Sequence, residues 1–447
     1  MSFKKNFAWG VATASYQIEG AAHEGDKGLN GWDVGSATDG RIFEGHSGDI
    51  GCDHFHRMKE DVALMKDLGV KHYRFSINWS RLIPEGIGKV SETGKKFYLD
   101  LVTQLKNAGI TPWVTLFHWD YPYELYLKGG WLNPDSPVWF EEYAAVIAEM
   151  FNGLVDRYIL INEPQCFVGI GHHSGGHAPF LKLPASEVIR VSHNVLLACG
   201  RAEKRIRSIS QCPVKIGTAQ AYWPKLPYTE KDYELAKRET FACHEDFGSV
   251  NFFTDPLIFG AYPEEFLPWM REMGFVPSEE DMKIIKSQID FYGLNTYSGD
   301  YITEENGRVK QVVPAPTVPK TDMRWNVYPD ALYYGPKYIY ERYHLPIVYS
   351  ENGVALTEWK DLNGEINDDS RIDYIKRYLR ALNRAAQEVE IDGYFYWSFM
   401  DNFEWAEGFS KKFGLVHIDY KTLERTPKKS AHWYKKVIES NGEEALK

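Results

Sequence analysis

The stretch Met58-Lys-Glu-Asp-Val62-Ala-Leu-Met65-Lys-Asp-Leu68-Gly69-Val-Lys-His-Tyr73-Arg-Phe-Ser-Ile-Asn78 contains one complete structural unit. Met58, Val62, Met65 and Leu68 recur at helical spacing while Lys59, Glu60, Lys66 and Asp67 fill the other face, which predicts an amphipathic helix with one buried side. Gly69 supplies a helix stop, because glycine accepts the left-handed backbone that ends many helices. The aromatic and β-branched run from Tyr73 to Asn78 then predicts a buried strand. The same order returns at Phe97, Leu101 and Leu105, ended by Gly109, and leads into another strand-like run from Thr111.

Repeated along the chain, helix, glycine and strand define parallel βα units. Eight strands are predicted: Phe7 to Thr13, Tyr73 to Asn78, Thr111 to Trp119, Arg157 to Glu163, Lys215 to Tyr222, Asp290 to Tyr297, Pro346 to Glu351 and Ile391 to Phe399. The expected fold class is α/β, one (β/α)8 barrel spanning residues 1–447, since a single closed core of this kind organises several hundred residues. The Pro-rich stretch Val312 to Pro319 falls inside the sixth connection and is read as a long rim loop.

Composition narrows the function. Apolar residues at 44% and charged residues at 25% are those of a globular protein, and no apolar run approaches the roughly 20 residues that cross a bilayer. The start of the chain has no basic segment followed by an apolar stretch, so a cytoplasmic location is the expectation. A net charge of -11 disfavours nucleic acid and anionic membranes as partners and leaves a neutral small molecule as substrate, with oligomer formation open. The five cysteines, Cys52, Cys166, Cys199, Cys212 and Cys243, are odd in number and lack C-x-x-C spacing, so free thiols are expected, with no metal site. Aromatics reach 15%, and an aromatic face can stack on the C–H face of a sugar ring.

Barrels of this kind place their chemistry at the C-terminal strand ends. Here those ends carry Gln17, Arg74, Asn78, His118, Asn162 with Glu163, Gln220, Asn295, Glu351, and Ser398 beside Trp397. Glycoside cleavage needs two carboxyl groups, one to protonate the leaving oxygen and one on the opposite side of the anomeric carbon. Asn162-Glu163-Pro164 and Glu351-Asn352-Gly353 close the fourth and seventh strands and can face each other across a closed barrel. Each alone is also an ordinary turn signal; the pair at matching strand ends is what points to chemistry.

These residues carry a resemblance. Phe7-Ala-Trp-Gly-Val-Ala-Thr-Ala-Ser-Tyr-Gln-Ile-Glu-Gly20, Arg74-Phe-Ser-Ile-Asn-Trp-Ser-Arg81, Phe117-His-Trp-Asp120, Asn162-Glu-Pro164, Glu351-Asn-Gly353 and Asp401-Asn-Phe-Glu-Trp405 follow the order of the family 1 glycoside hydrolases, and the chain resembles that family over nearly its whole length. The resemblance implies retaining hydrolysis of β-glycosides without a cofactor, with β-glucoside the expected substrate and a β-galactosidase/β-fucosidase or a 6-phospho-β-glucosidase of the same family the alternatives. It makes Glu163 the acid/base and Glu351 the nucleophile, their carboxyls about 5 to 5.5 Å apart. It places Arg74 and Tyr297 on the nucleophile, and Gln17, His118, Trp119, Asn162, Asn295, Tyr297, Trp397, Glu404 and Trp405 around the sugar. It also implies a cis peptide at Trp397-Ser398. Trp325 matches an aglycone-site residue, with a buried loop anchor as the competing reading, while Arg81 and Asp120 are read as structural.

The family's phospho-glycosidases use Ser, Lys and Tyr where this chain has Glu404, Lys411 and Phe413. A carboxylate repels a phosphate by about 4 kcal/mol per charge pair at 4 Å in an effective dielectric of 20, so an unphosphorylated sugar is expected. Gln165, Phe180 and Arg324 depart from the common family pattern and are expected toward the outer part of the site. A metal-dependent isomerase built on His54, His56, His172 and His173 is the rival enzyme reading; these histidines are read instead as loop residues. A barrel that only binds carbohydrate is the non-enzyme rival, weakened by the presence of both glutamates.

Overall fold

The computed structural model describes residues 2–447. Eight parallel strands close a barrel: β1 (Ala8–Ala12), β2 (His72–Ser76), β3 (Thr111–Phe117), β4 (Arg157–Asn162), β5 (Lys215–Ala221), β6 (Tyr292–Asn295), β7 (Ile347–Asn352) and β8 (Ile391–Trp397). Order around the barrel follows order in the chain, with β8 pairing back onto β1. Helices His54–Asp67, Glu92–Asn107, Ser136–Met150, Ala185–Ile209, Val250–Phe259, Ala331–Tyr343, Asp369–Ala385 and Lys429–Glu439 form the outer layer of a (β/α)8 barrel.

The glycine stops act as read. At the end of helix His54–Asp67, the Gly69 N–H donates to Lys66 O and the Val70 N–H to Met65 O, with Gly69 at φ +71°. Gly109 and Ile110 repeat both bonds after helix Glu92–Asn107. This double cap satisfies carbonyls that the helix itself leaves unpaired and turns the chain into the next strand.

Inside the barrel, Trp113 on β3 packs edge-on against Phe291, just before β6, and against Phe395 on β8, with centroids 5.3 and 5.0 Å apart. Those strands are not neighbours, so the rings meet through the interior and fill it. Glycine makes room on the wall: a Cβ on Gly10 would lie 2.5 Å from the Phe395 ring and 2.7 Å from His72 O.

Several expectations need correction. A strand Lys225–Pro227 pairs with Asp300–Glu305, which pairs with Arg308–Gln311, giving a three-stranded sheet outside the barrel just before the Pro-rich rim stretch. His54 and His56 lie in helix His54–Asp67, and His172 and His173 in the helical segment Gln165–Ser174, not in loops. His54 meets Asp61 at 2.7 Å as a buried pair. Among the described residues no three His, Cys, Asp or Glu side chains group as metal ligands, no helix is long and apolar enough to cross a membrane, and all five cysteines are free.

Gly10→Ala is expected to lower stability by about 1–3 kcal/mol through overpacking against a ring and a fixed carbonyl. A lower denaturant midpoint checks this; an unchanged midpoint would mean that the interior rings yield freely.

Candidate active site

The strands end in backbone that no ladder continues. Trp119, Glu163 and Trp405 all take positive φ, at 76°, 45° and 49°, a region that costs a non-glycine residue of order 1–3 kcal/mol and concentrates at functional sites. The turn after β3 lifts Trp119 out of the sheet, and the turn after β4 does the same for Glu163. The expected strands therefore stop two residues and one residue early, at Phe117 and Asn162. The Trp397-Ser398 peptide beyond β8 is cis.

Arg74, buried on β2, organises the centre. Its Nε donates to Thr115 Oγ1 at 3.0 Å, and Nη1 donates to Ser350 O at 3.0 Å and to Glu351 Oε1 at 2.7 Å. Nη2 donates to Asn162 Oδ1. Tyr297 OH donates to the second Glu351 oxygen at 2.8 Å. Glu351 is thus held at both oxygens, one by a cation.

Glu163 has different company. Asn295 Nδ2 donates to its Oε1 at 2.8 Å, and the Cys166 thiol lies 3.3 Å from Oε2. Asn295 also donates to Asn162 Oδ1 at 3.0 Å, accepts from Ser350 Oγ at 2.7 Å, and is within hydrogen-bonding reach of Glu351. Both glutamates therefore adjoin one amide.

The unlike surroundings separate them electrically. Burial, then the charge of Glu351, pushes the Glu163 carboxyl up to about 8. Burial also raises Glu351 above the ordinary carboxylate value, but Arg74 and Tyr297 oppose the rise. Glu404 is pushed up to about 8 by burial and by the charges of Glu351 and Glu163.

Around this pair sits an aromatic and amide collar. Asn162 Oδ1 takes two donors, so its Nδ2 faces His118 Nε2 at 3.0 Å and donates to it. That fixes His118 as the neutral tautomer with its proton on Nδ1, and burial with Arg74 nearby holds its pKa well below the usual value. His118 stacks between Trp397 and Trp405, with centroids at 5.8 and 5.7 Å. Gln17 Nε2 donates to Phe403 O at 2.7 Å and lies 3.4 Å from Glu404 Oε2. Gln17 Oε1 and His118 Nδ1 are buried with no partner among the described residues.

Two expected sugar contacts look different in detail. The Trp119 indole N–H donates to Asn162 O at 2.9 Å, and its ring lies 4.6 Å from that of Trp405, so Trp119 braces the collar. Trp325 packs on Tyr297 at 5.1 Å and meets Trp223 edge-on at 5.8 Å, forming a wall at the rim; Trp223 was not signalled by any motif.

Thr115, Ser350 and Cys166 were also missed. They act through Arg74, Asn295 and Glu163, and nothing in their sequence neighbourhoods separates them from ordinary buried residues. Asn78 caps a short helix by accepting from Arg81 N, and Gln220 accepts from Gln165 Nε2 at 2.7 Å. Gln165 is buried, whereas Arg324 is exposed. Arg81 pairs with Glu19 at 2.7 Å, and Asp120 accepts from Trp79 N at 3.1 Å; both tie strand-end loops together. The glycine of Glu351-Asn352-Gly353 is steric, because a Cβ there would lie 1.8 Å from Trp397 O.

Comparisons with known proteins match this picture along the chain. The family model described as glycosyl hydrolase family 1 matches residues 1–443. The chain is 42% identical to β-glucosidase A of Acetivibrio thermocellus over 451 aligned positions, covering 99% of each. It is 35% identical to a bifunctional β-D-glucosidase/β-D-fucosidase of Bifidobacterium breve, covering 98% of each. The solved structure of the Thermotoga maritima β-glucosidase in complex with deoxynojirimycin superposes with a TM-score of 0.90 at 39% identity, covering 99% of both chains. Barrel, strand-end carboxyls and matched length agree: this chain belongs to glycosyl hydrolase family 1 and is a glycoside hydrolase.

Proposed function

We propose that the chain is a retaining β-glucosidase acting on terminal, unphosphorylated β-D-glucosyl residues, with residues 1–447 as one catalytic domain. The observation that carries this reading is that Glu163 and Glu351, both adjoining Asn295, sit under opposite conditions, one beside an amide and a thiol, the other clamped by Arg74 and Tyr297.

Glu351, kept ionised by the guanidinium, attacks the anomeric carbon as Glu163 delivers its proton to the departing oxygen. The covalent intermediate removes the Glu351 charge, which had been raising the Glu163 pKa. Glu163, now more acidic, is left as the carboxylate that takes a proton from water. Water then attacks the anomeric carbon from the face the aglycone left, Glu351 departs as carboxylate, and two inversions retain the β configuration.

The sugar is held by the collar. Gln17 Oε1 and His118 Nδ1 find their missing partners in its hydroxyls, and Glu404 accepts from others. Trp397 and Trp405 supply the stacking faces. A group lacking one hydroxyl leaves a buried polar atom unpaired, which is how the pocket discriminates. The family resemblance to a glucosidase/fucosidase supports β-fucoside as a second substrate, since that sugar lacks only the primary hydroxyl of its galactose counterpart. At the rim, the Trp325 and Trp223 wall suits an apolar or aryl aglycone.

Phosphorylated sugars fit poorly. Glu404 offers a phosphate no positive charge, Lys411 pairs with Glu407 at 3.3 Å, and Phe413 is packed against Tyr297 and Trp325 with no hydroxyl to offer.

Three outcomes follow. Glu351→Ala with azide should recover turnover as an α-glycosyl azide, and Glu163→Ala with azide as the β-anomer; exchanged anomers would reverse the roles. In the free enzyme Glu163 must be protonated, so kcat/KM should fall as pH rises through about 8, and a profile flat to pH 9.5 would contradict it. On a panel of p-nitrophenyl glycosides, the β-glucoside should exceed its 6-phosphate by at least about 100-fold, because no free cation or hydroxyl at Glu404, Lys411 or Phe413 replaces the hydration the phosphate loses on burial.

A further inference from the structure

The two oxygens of Glu163 are held by partners of opposite kind. Oε1 accepts from Asn295 Nδ2 at 2.8 Å, and that amide cannot turn over, because its Nδ2 also donates to Asn162 Oδ1 at 3.0 Å, an oxygen that the Arg74 guanidinium fixes as an acceptor. A proton on Oε1 would weaken this bond, since a hydroxyl oxygen accepts less well than a carboxylate oxygen. Among the described residues, the partner of Oε2 is the Cys166 thiol at 3.3 Å. A thiol is a weak donor and a weak acceptor, and its hydrogen rotates about the Cβ–Sγ bond. It can give to a carboxylate and then turn away when that oxygen gains a proton.

Cys166 is placed for this by the chain itself. It follows Glu163 by three residues on the helical segment Gln165–Ser174, its N–H donates to Glu163 O at 2.9 Å, and Gln165 anchors the same turn to Gln220. Burial and the Glu163 charge keep the thiol protonated, so it is a donor and not a nucleophile. The other titratable groups around Glu163 are Glu351 on β7, Arg74 on β2, Tyr297 beyond β6 and Glu404 in the loop after β8. None of these hydrogen-bonds to Oε2.

The geometry points to Cys166 as a positioning residue that makes Oε2 the proton-carrying oxygen of Glu163, through a contact weak enough to be made and broken in every turnover. This rests on Glu163 being the acid/base. In the first step the Oε2 proton passes to the glycosidic oxygen and the thiol turns to donate to the new carboxylate. In the second step water returns a proton to Oε2 and the thiol turns away.

Cys166→Ser supplies a stronger donor of the same shape, and Cys166→Ala supplies none. With a poor-leaving-group aryl β-glucoside, the alkaline limb of kcat/KM should move down by about half a pH unit in Cys166→Ser and up by about the same in Cys166→Ala. With 2,4-dinitrophenyl β-glucoside, whose leaving group needs no proton, both variants should stay within about threefold of the native enzyme. Limbs that coincide with the native profile, or move in one direction, would overturn the inference. So would a loss above tenfold on the dinitrophenyl substrate, which would mark Cys166 as packing alone. Glu163→Ala is the control for the underlying reading: if it loses no more on the poor leaving group than on the good one, the acid/base assignment itself falls.

Discussion

Three carboxyl groups, Glu163, Glu351 and Glu404, share the barrel mouth with one guanidinium in contact, that of Arg74, and this imbalance governs the site. Buried carboxyls that feel one another's charge repel when ionised, so the three cannot all ionise freely at neutral pH. Which acid stays charged is decided by where the cation is fixed. Thr115 Oγ1 and Ser350 O anchor Arg74 so that it cannot swing toward Glu163. Arg74 opposes the rise that burial imposes on Glu351, and Glu163 and Glu404, without such a partner in contact, are pushed up to about 8. On the proposed assignment, the proton for leaving-group departure is held on Glu163 by this electrostatic imbalance.

The barrel supplies the stiffness that such placement demands. Glu163, Trp119 and Trp405 hold left-handed backbone only because firm contacts surround them. The Glu163 N–H donates to Ala219 O at 2.7 Å, extending the β4–β5 ladder by one bond after the strand proper has ended. Trp119 is tied to Asn162 O, and Glu404 N donates to Gly408 O at 2.7 Å beside Trp405. Backbone of this kind aims side chains inward where regular strand would aim them along the sheet.

Much of this was legible in the sequence. Helix, glycine and strand recur locally, so periodicity located all eight strands, and the strand ends located Glu163, Glu351, Arg74, Asn162 and Asn295. What stayed hidden depends on meetings between distant segments. The sheet joining Lys225–Pro227 to Asp300–Glu305 pairs residues 75 positions apart, and neither segment alternates strongly enough to announce itself. His54 and His56 looked like loop residues because nothing before them reads as a helix start; the N-cap, Asp53, has left-handed backbone and makes no side-chain cap. Thr115, Ser350 and Cys166 act on other side chains, and no local pattern distinguishes such a role from burial.

Behind the sugar side of the pocket lies a second set of buried charges that explains why Asp401 opens the motif ending at Trp405. Burial works against its ionisation, yet Lys428, His417 and Arg371 outweigh it and hold Asp401 at about 2. Asp401 accepts from Lys428 Nζ at 2.9 Å and from Gly414 N at 2.8 Å. Lys428 also pairs with Glu358, which pairs with Arg371, which pairs with Asp368 at 3.0 Å. Arg371 further donates to Tyr396 OH at 2.8 Å, to Phe413 O at 3.1 Å and to Val354 O. One cation thus binds the segment just past Glu351, the strand bearing Trp397 and the loop bearing Phe413. A buried network of this sort is weak evidence for extra stability, because desolvation offsets most of the attraction. What it does supply is direction: the chain just beyond Glu351, the strand bearing Trp397 and the loops bearing Asp401 and Phe413 converge on the same charges, so their relative positions are fixed by one network.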